Sequence, residues 1–249
     1  MEQKSKHYVF HYEENSVAGR DINKIVSLQE ECYSFISICL GTESEGAIHY
    51  HLYDTPEEVG RQYAIIYDDD EEEPCNGFAL PNTMSNDGLN HIYAVYSNNV
   101  KCIGLHEDAH VISYSYGRPT SKFVREGLAM FFDRYWWGID NYSWTLWYIQ
   151  EHGGLPAIKE LLQNDCFDEY DEIITYPLSG AFTSYLIERY GNSRYKDFFK
   201  ASVSDVYSAF ENVFGDTLET IEDGFLCHVK MFRLRPEVRE LMIKDSRIE

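Results

Sequence analysis

The chemistry of this chain is concentrated in residues 104–110, which read GLHEDAH, and in one glutamate further on, Glu126. His106 and His110 are four residues apart, just over one helical turn. On an α-helix both imidazoles therefore leave from one face and can bind the same ion. The spacing His-Glu-x-x-His is a recognised signature of zinc-dependent hydrolysis, with the imidazoles as ligands and the glutamate as general base. Zinc in a hydrolytic site takes three protein ligands and leaves the fourth position to a water whose pKa falls to about 7. A third ligand must come from elsewhere in the chain.

Glu126 is the candidate. It lies in the segment KFVREGLAMFF, where Phe123, Val124, Leu128 and Phe131 surround it in sequence. A carboxylate buried among such residues is costly unless a cation or hydrogen bond compensates it, and zinc would supply the cation. Fifteen residues separate His110 from Glu126, which leaves room for only a short connection between two helices. Asp133 follows seven residues later on the same helical face, where it could orient an imidazole or simply be solvated. Asp108 points away from the ligand face and is read as structural.

HEDAH at 106–110 together with EGLA at 126–129 resembles the gluzincin superfamily of zinc metallopeptidases, which includes thermolysin-like and aminopeptidase N-like enzymes and, most similar, small bacterial peptidase-MA-like proteins. Residues 176–191, YPLSGAFTSYLIERYG, and 214–222, FGDTLETIE, resemble later helices of that group, so the likeness spans most of the chain. The resemblance implies a thermolysin-like catalytic domain of the α+β class. In it Zn2+ is held by His106, His110 and Glu126, and Glu107 takes a proton from water and passes it to the leaving amine. It also implies a tyrosine that donates to the developing oxyanion. Tyr176 fits best, because Pro177 after it is a good first residue of a helix; Tyr114 and Tyr116 are competitors. Finally, it implies an edge strand ahead of the motif helix that binds extended substrate through its main chain, matched here by Ile92, Tyr93, Ala94, Val95 and Tyr96. The substrate would be a peptide or protein. A noncatalytic module of the same fold, with zinc as a folding clamp, is the other reading. Glu107 speaks against it, since a structural zinc site needs no base and fills all four positions.

The elements that must position these groups can be read from periodicity. A strand is predicted over 7–12. A helix over 21–40 carries a stripe of Ile22, Ile25, Cys32, Phe35, Ile36 and Cys39 and stops at Gly41. Residues 47–53 alternate Ile48, Tyr50 and Leu52 with outward-facing His49 and His51, as in a half-buried strand. Thr55, Pro56 and Glu58 form a capping box that opens a short helix. Strands follow at 77–80 and 91–96, joined by a turn-rich segment. From Lys101 onward helices dominate, with breaks near 117–119, 153–156, Gly191 and Gly215. The expectation is one domain, 1–249, with a small mixed sheet in residues 1–100 packed on a mainly helical part, 101–249.

Composition narrows the function classes. A net charge of -21, from 42 acidic and 21 basic side chains, repels phosphate backbones and anionic lipid. No nucleic acid or membrane partner is expected, and cationic peptides are mildly favoured. The opening MEQKSKHYV has no apolar leader and no later run could span a bilayer, so a cytoplasmic protein is expected. Six scattered cysteines without a CxxC pair read as reduced thiols, with Cys32 and Cys39 buried. The six consecutive carboxylates at 68–73 read as a solvated loop, because a calcium site needs spaced ligands. The aromatic run 131–137, with Trp144 and Trp147, reads as core in preference to substrate subsites.

Overall fold

Residues 1–245 are described in the computed structural model. Their contacts divide them into two units, the first ending at Ser115 and the second beginning at Tyr116. Among the described residues no helix is long and apolar enough to cross a membrane.

The first unit is built on a five-stranded sheet of β1 (Glu2–Lys4), β2 (Tyr8–His11), β3 (Ile48–Tyr53), β4 (Gly77–Leu80) and β5 (Asn90–Val95). The order is β1-β2-β3-β5-β4, with β2, β3 and β5 parallel and the outer strands β1 and β4 antiparallel. Three helices accompany it: α1 (Val17–Leu40), α2 (Pro56–Tyr67) and α3 (His106–Ser113), the last followed by a 3-10 turn at Tyr114–Tyr116. α1 begins four residues earlier than the periodicity indicates, because Ser16 caps it by accepting from the Gly19 amide. It ends as expected, with Gly41 in the left-handed conformation at φ 70°. The capping box of Thr55 and Glu58 is formed at the start of α2.

Strand alternation gives the sheet two unlike faces. Tyr8, Phe10, Ile48, Tyr50, Leu52, Ile92 and Ala94 are buried on one, where Tyr8 meets Tyr33 of α1 edge to face at 5.9 Å and reaches α3. Along α1 the buried stripe is Ile22, Ile25, Gln29, Cys32, Tyr33, Ile36 and Leu40, whereas Phe35, expected inside, is 42% exposed. The opposite face carries His11, His49, His51, His91, Tyr93 and Phe78. Here the two histidines of β3, expected to point outward, are half-buried among other rings. One register row stacks His11 on His51 at 4.6 Å, His51 on Tyr93 at 4.6 Å and Tyr93 on Phe78 at 4.7 Å. α2 packs on the Phe78 end of that row, with Val59, Phe78 and Val95 as its core. The acidic loop 68–73 is exposed, as expected.

The second unit is helical apart from a hairpin of β6 (Tyr135–Trp136) and β7 (Ile139–Asp140). Its helices are α4 (Lys122–Asp133), α5 (Asn141–His152), α6 (Ile158–Leu161), α7 (Asn164–Glu169), α8 (Glu172–Tyr190), α9 (Asn192–Ala201), α10 (Val206–Phe214), α11 (Leu218–Val229) and α12 (Pro236–Asp245). α8 is the central member and packs against α4, α5, α9 and α11. Phe123, Phe182, Phe198, Phe210 and Phe225 fill the space around it. Trp144 and Trp147 belong to a second core with Ile139 and Met242, in line with the packing role read from sequence, whereas Tyr135 and Trp137 of the run 131–137, also read as core, are 54% and 72% exposed. Gly153, Gly191 and Gly215 each end a helix where a break was expected.

The histidine face makes stability depend on pH. Burial, with His11, His91 and His49 close by, pushes His51 down to about 3. An unfolded histidine takes its proton near pH 6.5, so between about 6.5 and about 3 the unfolded chain binds more protons than the folded one. The stabilisation from a neutral His51 is full above that window and is lost as pH falls through it. Thermal melts should therefore move down as pH falls below about 6.5, and His51→Gln should flatten that slope. Equal slopes in the two proteins would show that His51 does not carry the effect.

Candidate metal centre

His106 is the first residue of α3 and His110 stands one turn later. Gly104 just ahead has φ 131°, a conformation that a side chain disfavours, and it turns the chain into the helix. Rotation of α3 about its axis is fixed by Asp108. This residue is fully buried, accepts from the Tyr8 hydroxyl at 2.5 Å and from Gln29 Nε2 at 3.0 Å, and is held well above the usual carboxylate range by burial. Gln29 also donates to the Gly104 carbonyl at 3.2 Å, so one side chain of α1 ties both the entry and the first turn of α3. Asp108 is thus structural, as its helical position indicates. Gln29 and Tyr8 were invisible as site supports in the sequence, since a lone polar residue in an apolar stripe announces no partner.

With Asp108 turned to the sheet, His106, Glu107 and His110 occupy other sides of the helix. His110 and Glu107 are 7% and 8% exposed. His110 Nδ1 lies 3.4 Å from the hydroxyl of Tyr114, one turn on. Glu107 lies against β4: a Cβ added to Gly77 would sit 3.3 Å from Glu107 Oε1 and 3.0 Å from Cys102 Sγ. Backbone without a side chain therefore borders the carboxylate there.

Glu126 lies in the middle of α4, 9% exposed, flanked by buried Phe123, Val124 and Leu128. Arg125 beside it ties down the loop that leads into the helix by donating to the carbonyls of Pro119 and Thr120 at 2.8 and 2.9 Å. Gly127 lets α4 close on α8, because a Cβ there would meet Thr183 Oγ1 at 2.5 Å and the Ser179 carbonyl at 2.9 Å. Burial raises the carboxyl of Glu172 on α8, and the negative charge of Glu126 adds to that rise.

His106, His110 and Glu126 each offer one ligand atom, and these atoms all lie within 4.8 Å of one another. The three form a group that could hold a metal ion, and among the described residues it is the one group of three or more such side chains that does. Two imidazoles and one carboxylate are a donor set that fits zinc.

Other expected site residues lie elsewhere than the sequence indicates. Residues 92–96 are not an edge: β5 is bonded to β3 on one side and to β4 on the other, so its main chain has no open side for strand addition. The expectation took the strand nearest the motif for the outermost one, whereas the chain runs back so that the earlier β4 takes that place. Tyr176 does not precede a helix. α8 starts at Glu172, capped by Asp171, and Pro177 lies inside it. Tyr176 is half-buried with its ring against Trp136 at 5.0 Å and Phe167 at 5.9 Å. Asp133 is exposed at the end of α4.

No protein-family model matches this chain, and no curated protein matches it.

The close seat of α4 on α8 gives a direct prediction. Gly127→Ala should cost about 1–3 kcal/mol through overpacking, and, by shifting Glu126, should also weaken metal binding at the group. Thermal melts and zinc competition with a chromogenic chelator read the two effects. Unchanged zinc affinity in a destabilised variant would mean that the seat of α4 does not place Glu126.

Proposed function

We propose that this chain is a zinc-dependent peptidase of the gluzincin type. The observation that carries the reading is the convergence of His106, His110 and Glu126 within 4.8 Å, with the buried but non-ligating Glu107 on the same turn as the two histidines. Three protein donors fit a catalytic ion that keeps one position open, and a carboxylate base would be superfluous at a closed structural site. Zinc, when bound, supplies Lewis acidity toward a carbonyl and acidifies water.

The chain's own residues supply the rest. Glu107 accepts the proton of the attacking water and returns it to the leaving amine, so it must be ionised on arrival and within hydrogen-bond reach. The free side of β4 offers main-chain donors and acceptors beside Glu107 to an extended peptide, in the place first expected of residues 92–96. The bare Gly77 lets Glu107 pack close against that strand. Tyr114, whose hydroxyl lies 3.4 Å from His110 Nδ1, is the hydroxyl proposed to donate to the oxyanion. An acidic protein favours cationic peptides among the candidates.

Protein purified without chelators should retain about one tightly held zinc per chain, by elemental analysis. Glu107→Gln should keep that zinc and lower cleavage of a peptide library by at least about 100-fold, whereas Glu126→Ala should lose the metal. Cleavage by Glu107→Gln at the wild-type rate would rule out the assigned base. Zinc without any cleavage by wild type would favour a binding module.

A further inference from the structure

Four of the chain's nine histidines meet on the sheet face that does not carry α3. They come from three neighbouring strands: His11 on β2, His49 and His51 on β3, His91 on β5, with His11 opposite His51 and His49 opposite His91 in register. Their nitrogens meet in pairs. His11 Nε2 lies 3.0 Å from His49 Nδ1, and His51 Nε2 lies 3.0 Å from His91 Nδ1. The other nitrogen of His91, Nε2, lies 3.0 and 3.2 Å from the two carboxylate oxygens of Asp87.

This pattern fixes the protons of the second pair. An ionised carboxylate only accepts, so His91 Nε2 carries the hydrogen and its Nδ1 presents a lone pair. His51 Nε2 then donates to that lone pair. We propose that His51 and His91, backed by Asp87 and flanked by the His11–His49 pair, form a second site for a divalent transition-metal ion.

A carboxylate behind an imidazole is the arrangement that orients a metal-bound histidine and strengthens it as a ligand. At a metal–nitrogen distance of about 2.0–2.1 Å and a tetrahedral angle, two ligating nitrogens stand about 3.3 Å apart, so the pair must open by a few tenths of an ångström and each ring must turn by about 35° for the two lone pairs to converge on the ion. On binding, the His51 ring proton moves from Nε2 to Nδ1 and none is released. The rings are already held, His51 between His11 and Tyr93 at 4.6 Å on each side. Imidazole donors suit zinc, nickel and copper, and of these Cu2+ binds most tightly. Two nitrogens hold an ion less firmly than the three donors of His106, His110 and Glu126, so this site fills on titration. It does not rest on the peptidase reading.

Calorimetric titration with Cu2+, buffered by glycine, tests it in a His106→Ala/His110→Ala background, where the first group is disabled. About one equivalent should bind. Adding His51→Ala and His91→Ala should abolish it, and Asp87→Asn alone should weaken it about 10–100-fold. In wild-type protein, which needs no substitution to stay folded, Cu2+ added beyond the equivalent that His106, His110 and Glu126 take up should broaden the imidazole NMR signals of His51 and His91 beyond those of His7, His152 and His228. The proposal is overturned if the equivalent survives loss of both histidines, or if those two signals are spared while the others broaden.

Discussion

The arrangement depends on how one short helix is turned about its own axis. Glu107 and Asp108 are adjacent, both acidic and both buried, yet about 100° of helical rotation sends them into opposite surroundings. Asp108 is claimed by Tyr8 and Gln29 and becomes an anchor. Once it is fixed, the directions of His106, Glu107 and His110 follow from helical geometry alone. A buried carboxylate that lost these donors would carry its full desolvation cost, so the clamp resists any other rotation. The directions of the candidate ligands are thereby guarded by residues outside the group.

The sheet serves two ends with its two faces. Its apolar side holds the clamp, since Tyr8 belongs to β2 and reaches through the core to α3. Its other side is polar and aromatic, and it stays ordered through ring stacking across four strands and through pairs of imidazoles that satisfy one another. Parallel strands usually read as continuous apolar runs because both faces are covered by helices. β3 alternates instead, Ile-His-Tyr-His-Leu-Tyr, and only part of its second face lies under α2.

Local signals were the legible ones. The His-Glu-x-x-His spacing, the capping box at Thr55, the stop at Gly41 and the helix breaks at Gly153, Gly191 and Gly215 each depend on a few neighbouring residues, and each appears where the sequence places it. Glu126 was legible because a carboxylate amid Phe123, Val124 and Leu128 demands a reason. What the sequence hid was set by pairing at a distance. β1 is three charged or polar residues with no apolar alternation, and it is a strand only because β2 offers an edge. The interior place of β5 follows from the return of β4, which periodicity does not encode. Pro177 looked like a helix start, yet α8 begins earlier, where Asp171 caps it, and absorbs the missing amide.

The two outer strands are also short, three residues in β1 and four in β4. Exposed strand borders invite other copies of a chain to dock and propagate as fibrils, and brevity is one of the devices that prevents it. Short borders of this kind give a second folded molecule too little to grip, so the sheet is guarded against self-assembly by its own proportions.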